Sequence, residues 1–266
     1  MKVLFAVVLL IFAGPVEAHG STIDLNLQKD EFAISFLPLS DGEAAIVHLA
    51  DHHGILINLG GSSDKDEIVA YLKKFEITTL DSLWLTNEGT INLSLLDHLV
   101  KNFQLKDAMV LEKDYSNLLA RSPSMDINTW KNNDTFSIYP SVNVHVHYVG
   151  DSLNEGADFS IDDSKYHFLW MSSTSKESQS ALLKQPLDQI NIVKIANYAQ
   201  KKAITEDLLT HIDPQTSIIF KKQKLMPNPD IMEMLYETWI DTYSTDQHGL
   251  ITIKFGHSTY EVITFE

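Results

Sequence analysis

The sequence predicts an α/β protein in which two β-sheets are flanked by helices. Apolar, strand-like runs occur in two groups along the chain, and amphipathic helical segments follow each group. No internal repeat, low-complexity tract or Pro/Gly-rich linker interrupts the chain, so we expect one domain from Ser21 to Glu266. Each sheet must bury an apolar face, and two sheets packed together with helices outside give a layered sandwich.

Composition excludes several classes of protein. The chain has 266 residues, of which 44% are hydrophobic and 21% charged, and these fractions are typical of a globular protein. It contains no cysteine, which excludes disulfides, thiolate zinc sites and a cysteine nucleophile. Its 20 basic and 36 acidic residues give a net charge of -16, and such a field repels nucleic-acid phosphates. We therefore expect no long nucleic acid among its partners.

The N-terminus has the pattern of a secretory signal peptide, over Met1 to Ala18. Lys2 provides the positive charge, and Val3 to Ala13 is an apolar run of eleven residues. Small residues at Val16 and Ala18 predict cleavage after Ala18. No later segment is apolar enough to span a membrane. The sequence thus predicts a periplasmic or extracellular protein with no membrane span after cleavage.

The first group of strands opens the domain. Phe32 to Leu37, Ala44 to Leu49 and Ile55 to Leu59 are apolar runs separated by turn signals, which predicts an antiparallel meander. The segment Asp51-His52-His53-Gly54 resembles a metal-binding motif, but its position between two strands favours a hairpin turn. Ser82 to Leu85 is a further short strand that follows a helix.

The second group of strands lies in the middle and at the end of the chain. The predicted strands are Phe136 to Tyr139, Val142 to Val149, Tyr166 to Met171, Ile190 to Ile195, Ser217 to Phe220, Gly249 to Phe255 and Thr259 to Thr264. The last two form a hairpin around Gly256-His257.

Helical periodicity separates these strands. The predicted helices are Asp64 to Phe75, Leu93 to Phe103, Lys176 to Leu183, Thr205 to His211 and Asp230 to Ile240. The last of them follows Pro227-Asn228-Pro229, which is a strong signal for the start of a helix.

Several motifs stand in an order that resembles a known superfamily. Phe36 to Glu43 reads F-L-P-L-S-D-G-E and Ile55 to Gly61 reads I-L-I-N-L-G-G, similar to the F-L-D-V-G-Q-G-D and I-L-I-D-G-G segments of metallo-β-lactamase proteins. Ile77 to Thr86, the Pro227 to Pro229 helix start and Thr245 to Gly249 follow in the same order. From Phe32 to Glu266 the chain thus resembles the metallo-β-lactamase superfamily, and within it the soluble domain of ComEC-type competence proteins. The resemblance implies a four-layer αββα sandwich.

The resemblance also implies a dinuclear metal site, and the aligned ligands are absent. The superfamily carries H-x-H-x-D-H after the strand that ends here at Thr86, where this chain reads Asn87-Glu88-Gly89-Thr90-Ile91-Asn92. Ser173 stands at the position of the bridging aspartate, and Ala196 to Gln200 replaces the P-H-H-G-S segment. The late His-Pro becomes Met226-Pro227. Catalytic zinc needs about three protein ligands, and Gly and Ile side chains cannot ligate. We therefore predict no bound metal and no cofactor.

The same alignment predicts which residues fill the cleft. These residues are neutral hydrogen-bonding groups, namely Asn87, Asn92, Ser173, Asn197 and Tyr198. The first hypothesis for function is a secreted, non-catalytic protein that binds a small polar ligand or a protein partner at this cleft.

Two other functions stay open at this point. One is a hydrolase of the phosphoester type with a relocated metal site or with no metal, which would require His48, His145, His147 or His167 to converge with carboxylates. The other is a role in DNA uptake, as the resemblance to competence proteins implies.

Three further clusters have simpler interpretations. His145-x-His147 alternates with valines on one strand, which favours a solvent-facing strand surface over a metal site. Ser172 to Ser175 favours a polar loop or a helix N-cap over a nucleophile, because no G-x-S-x-G elbow is present. The acidic residues in Glu155 to Asp158 and at Asp162-Asp163 favour a solvated loop over a calcium site, since the EF-hand spacing is absent.

Overall fold

The computed structural model describes residues 22–29, 31–87, 91–150, 152, 154–163, 165–256 and 259–265. The predicted signal segment, Met1 to Ala18, lies outside these ranges, as do Gly89 and His257.

The strands of the described ranges form two sheets. Their bounds are β1 Phe32–Phe36, β2 Ala45–His48, β3 His53–Ile57, β4 Thr79–Trp84, β5 Asp107–Val110, β6 Asp126–Thr129, β7 Thr135–Tyr139, β8 Val142–Val149, β9 Ala157–Asp162, β10 His167–Trp170, β11 Ile190–Lys194, β12 Thr216–Ile219, β13 Asp241–Ser244, β14 Leu250–Phe255 and β15 Tyr260–Phe265. The first sheet has the order β15-β14-β1-β2-β3-β4-β5-β6, and the second has the order β13-β12-β11-β10-β9-β8-β7.

Each sheet has an antiparallel part and a parallel part. In the first, β1, β2 and β3 form the predicted antiparallel meander, and β3 to β6 run parallel. In the second, β7 to β10 are antiparallel, whereas β10 to β13 are parallel. The parallel strands of a sheet end at one edge, so both sheets direct several strand ends toward one side of the molecule.

Helices cover the outer face of each sheet. Their bounds are α1 Lys65–Lys74, α2 Leu93–Asn102, α3 Glu112–Arg121, α4 Lys176–Leu182, α5 Glu206–Ile212 and α6 Pro229–Glu237. Apolar residues of α1, α2 and α3 pack on the first sheet, and those of α4, α5 and α6 pack on the second. Within the described ranges, no helix combines the length and apolar character needed to cross a membrane.

Aromatic side chains fill the layer between the two sheets. Trp130 stacks on Phe159 with ring centroids 5.0 Å apart, and Trp84 meets Phe159 edge-on at 5.4 Å. Phe36 and Trp170, from opposite sheets, are 6.5 Å apart. Such aromatic pairs add about 0.5–1.5 kcal/mol each beyond the area that they bury. The three apolar layers define an αββα sandwich, as the sequence predicts.

One sequence interpretation is wrong. The acidic stretch around Asp158 and Asp162 is not a solvated loop, because 157–162 forms β9 in the interior of the second sheet. Ala157, Phe159 and Ile161 point toward the aromatic core. The polar residues that alternate with them lie on the opposite face of the sheet, where they are also buried. Charged side chains obscure this alternation in the sequence. The sequence also missed α3 and the short strands β5, β6 and β13.

Candidate functional site

Polar side chains join the two sheets where their parallel strands end. Thr86 follows β4 and Ser172 follows β10, and the Ser172 hydroxyl donates to Thr86 Oγ1 at 3.0 Å. The indole Nε1 of Trp170 donates to Ser172 Oγ at 3.0 Å, and Asn58 Nδ2 donates to Thr86 Oγ1 at 3.0 Å. This buried network sets the floor of a cleft between the sheets.

A glycine allows a close approach between the two sheets. Gly156 forms an isolated bridge with Asn87, and the next amide, that of Ala157, donates to Thr86 O at 2.7 Å. A Cβ atom at Gly156 would lie 2.0 Å from the Thr86 carbonyl oxygen. A side chain at this position would therefore force the strand ends apart.

A buried ion pair lies beneath the cleft. Lys194, the last residue of β11, is fully buried, and its ammonium group contacts Glu43 Oε2 at 2.5 Å. The same group donates to Met171 O at 3.1 Å and lies 4.7 Å from the centroid of the Trp170 ring. Burial lowers the pKa of Lys194, while the charge of Glu43 opposes that shift. The pair links the β1–β2 loop of one sheet to the end of β11 in the other.

Two adjoining cavities make up the cleft. One, of about 260 Å³, is lined by Lys194, Asn197 and Ser172 among others. The other, of about 350 Å³, extends over the β1–β2 loop and the glycines after β3. The residues that line both cavities are Glu43, Asn87, Tyr198 and Lys222.

A strained turn presents Tyr198 to these cavities. Asn197, Tyr198 and Ala199 have φ angles of 45°, 54° and 53°, which is the left-handed region. For residues other than glycine this conformation costs roughly 1–2 kcal/mol each, and such strain clusters at functional sites. Burial raises the pKa of Tyr198, and the acidic groups of Glu43, Asp41 and Asp64 raise it further. The phenol therefore remains protonated and can donate a hydrogen bond.

The five predicted cleft residues have different positions. Asn87, Asn197 and Tyr198 line the cavities. Ser173 is fully buried behind them, where its hydroxyl is 3.1 Å from Gly156 N and 3.2 Å from Gly156 O. Asn92 instead caps α2, accepting from Leu95 N at 3.1 Å.

Sequence reasoning missed the central pair, Lys194 and Glu43. The available signal was a lysine that ends the mainly apolar strand Ile190–Lys194. Ser175 does serve as a helix N-cap, because it accepts from Ser178 N at 3.0 Å.

Comparison with solved structures that have the same arrangement of layers identifies the fold. The metallo-β-lactamase fold protein YhfI from Bacillus subtilis superposes with a TM-score of 0.57 at 9% identity, over 80% of this chain and 95% of that one. The chain has a metallo-β-lactamase fold. Igni18, a metallo hydrolase from the archaeon Ignicoccus hospitalis, gives 0.55 at 10% identity, over 88% of this chain and 100% of that one.

A diphosphatase of the PhnP family is also similar to this chain, with a TM-score of 0.55 at 11% identity over 88% of this chain and 100% of that one. No family model matches the sequence, and no curated protein sequence matches it. The likeness at these identities concerns the fold alone.

The cleft residues do not fit the dinuclear metal centre that the metallo-β-lactamase resemblance implies. Asn87, Ser172 and Asn197 offer neutral oxygens, whereas zinc prefers imidazole, carboxylate or thiolate ligands. The Glu155 carboxylate in the same lining already accepts a hydrogen bond from the Tyr148 hydroxyl at 2.6 Å. The carboxylate of Glu43 is already paired with the Lys194 ammonium, whose charge repels a cation. Across the described ranges, no group of three or more His, Cys, Asp or Glu side chains is arranged to hold a metal ion.

A buried carboxyl stabilises the strand end beside the cleft. Asp158, on β9, accepts from the backbone amides of Ser172 at 2.6 Å and Ser173 at 2.8 Å. Its second oxygen, Oδ2, is buried with no hydrogen-bond partner among the described residues. Burial raises the pKa of Asp158 to about 6, against the two amide hydrogen bonds and the charge of Lys194, which lower it.

This raised pKa predicts a dependence of stability on pH. Between the ordinary pKa of 3.8 and about 6, the folded state binds more protons than the unfolded state. The contribution is fully present below pH 3.8 and is lost as the pH rises through 6; a shift of about two units corresponds to about 3 kcal/mol. Asp158→Asn keeps an oxygen acceptor but cannot ionise, so its free energy of unfolding is expected to lack this decline.

Urea titrations from pH 4 to 8 measure the effect. Asp213→Asn, at an exposed position, is the matched control and should follow the wild-type profile. Identical pH profiles for Asp158→Asn and the wild type would contradict the assignment.

Proposed function

We propose that this protein is a secreted member of the metallo-β-lactamase fold whose strand-end cleft is non-catalytic and binds a small polar ligand or a protein partner. The observation that carries the proposal is the Lys194–Glu43 ion pair beneath the strand-end cleft. The Lys194 ammonium supplies a fixed positive charge at this place and pairs with the Glu43 carboxylate, which is then not free to bind a metal ion. On this proposal the dinuclear metal site has been lost, and the ion pair ties the two sheets together instead.

The cleft surface supports recognition of a polar ligand. Asn87 and Asn197 carry amide groups that both donate and accept, and Tyr198 carries a protonated phenol. Lys222 lies over the Tyr198 ring, with its Nζ 4.9 Å from the ring centroid. A few convergent polar groups in a preformed cavity are typical of small-molecule sites. The net charge of -16 favours a ligand other than a long nucleic acid.

Two further parts of the proposal rest on the sequence. The pattern of Met1 to Ala18 supports secretion to the periplasm or the extracellular space. The order of motifs from Phe36 to Gly249 supports kinship with the soluble domain of ComEC-type competence proteins.

Metal content tests the proposal directly. We expect purified protein to contain far less than one zinc or manganese ion per chain by mass spectrometry. Added zinc or manganese should leave the melting temperature unchanged, because a ligand stabilises a protein only when it binds the folded state preferentially. A chelator-treated sample is the control for metal taken up during purification. Near-stoichiometric metal, or a metal-dependent rise in melting temperature, would contradict the proposal and favour a metallohydrolase.

A further inference from the structure

A second polar cluster lies on the outer face of the second sheet, and its residues do not line the strand-end cleft. His147 on β8, Ser160 on β9 and Gln185 after α4 form a chain of hydrogen bonds. His147 Nε2 is 2.9 Å from Ser160 Oγ, and His147 Nδ1 is 2.5 Å from Gln185 Oε1. Two further hydrogen bonds hold Gln185 in place. Its side-chain Nε2 donates to the His147 backbone carbonyl at 2.8 Å, and its backbone carbonyl oxygen is 2.8 Å from His211 Nε2.

These contacts determine the tautomer of His147. Because Gln185 Nε2 is the donor to the His147 carbonyl, Gln185 Oε1 is the atom that faces the ring. An amide oxygen only accepts, so Nδ1 carries the proton and Nε2 is the acceptor. The Ser160 hydroxyl then donates to Nε2. This is the arrangement of a nucleophile, a general base and a group that orients the base.

The cluster opens on a cavity. Ser160, His147 and Gln185 line a space of about 350 Å³ that His145 and His167 also line. Burial lowers the pKa of His147 and neighbouring His145 lowers it further, against the Gln185 hydrogen bond. The imidazole is therefore neutral at pH 7, as a general base must be.

We propose that Ser160, His147 and Gln185 form a metal-free site that hydrolyses small carboxylic esters. Ser160 Oγ attacks the ester carbonyl carbon while its proton moves to His147 Nε2. The tetrahedral intermediate expels the alcohol, which takes the proton from Nε2. Water then attacks the acyl-serine by the same route and releases the carboxylic acid, which restores Ser160. Gln185 is a positioning residue that keeps the proton on Nδ1.

A second serine–histidine pair differs from this cluster in access. His48 Nε2 is 2.7 Å from Ser35 Oγ, and Ser35 is fully buried, with its hydroxyl also 2.7 Å from Thr252 Oγ1. Ser35 does not line the cavity that His48 lines, whereas Ser160, which is 3% exposed, lines the cavity beside His147. The His48–Ser35 pair therefore carries no proposal of activity.

A fluorophosphonate probe tests the site in the full chain, with mass spectrometry to locate the label. We expect labelling of Ser160 at a rate that falls only at pH values below the ordinary histidine pKa, because His147 must be neutral and burial lowers its pKa. His145, His167 and Asp162 are the other titratable groups that line the cavity. Hydrolysis of p-nitrophenyl acetate should fall at least about a hundredfold in Ser160→Ala, because the variant has no hydroxyl nucleophile for His147 to activate. Ser137→Ala, on an exposed strand position of β7, is the matched control and should keep its activity.

Variants of Gln185 separate positioning from folding. Gln185→Glu keeps the acceptor for Nδ1–H and should retain labelling, whereas Gln185→Leu should lose labelling although circular dichroism still shows a folded chain. If Ser160→Ala fails to fold, the position of the label on the wild-type chain still shows whether Ser160 is the nucleophile. Absence of a label on Ser160, or equal activity in Ser160→Ala and the wild type, would overturn the proposal. Neither result would depend on whether the strand-end cleft binds a ligand.

Discussion

Gly156→Ala is expected to lower the free energy of unfolding by about 3 kcal/mol or more, at the upper end of the range for overpacked sites. The new Cβ would meet the Thr86 carbonyl oxygen at 2.0 Å, far inside van der Waals contact. Backbone atoms on both sides form the contact, so no side chain can rotate to relieve it. The Ala157 N–H to Thr86 O bond would lengthen, and the two sheets would separate at the cleft.

Gly256→Ala is the matched control for this substitution. Neither glycine has a positive φ angle, so alanine fits both backbones and only the surrounding space differs. At Gly256 the nearest atom to a new Cβ is Glu31 Oε1 at 3.3 Å. We expect a change within about 0.5 kcal/mol there. Urea denaturation followed by tryptophan fluorescence measures both variants, and equal losses would refute the close-approach argument.

Lys194→Met is expected to lower the free energy of unfolding by about 3–5 kcal/mol, because it leaves the Glu43 carboxylate buried without a partner. The methionine side chain has a similar length, so the change removes charge more than volume. The Met171 carbonyl also loses its ammonium donor. Lys222→Met, at the exposed rim of the same cleft, should stay within about 0.5 kcal/mol.

The double variant Lys194→Met/Glu43→Leu removes both buried charges. It therefore tests whether the stability lost in Lys194→Met comes from the unpaired Glu43 carboxylate. Replacing a buried ion pair with apolar groups is often neutral, so we expect the double variant to recover most of the stability that Lys194→Met loses. Chemical denaturation of the wild type, Lys194→Met, Glu43→Leu and the double variant gives the coupling energy. A loss below 1 kcal/mol in Lys194→Met would show that the pair does not stabilise the junction of the sheets.

Local patterns in the sequence were sufficient for most of the architecture. The meander of β1 to β3 follows from apolar runs between turn signals, and α6 from Pro229 behind the Asn228 cap. Strand β9 was not recognised, because Asp158, Ser160 and Asp162 give it the composition of a loop. Its buried carboxyl is tolerated only because the amides of Ser172 and Ser173, distant in sequence, supply hydrogen bonds.

The sequence by itself determined the sandwich and the identities of the residues that follow its strands. Periodicity and turn chemistry are local properties, and the order of Asn87, Ser173 and Asn197 along the chain is explicit. Only the tertiary structure decided which polar groups meet. Lys194 and Glu43 are 151 positions apart, and His147 and Gln185 are 38 apart. No pattern within a strand or helix encodes such pairings, because they arise when separate elements pack and must satisfy each other's buried charges and donors.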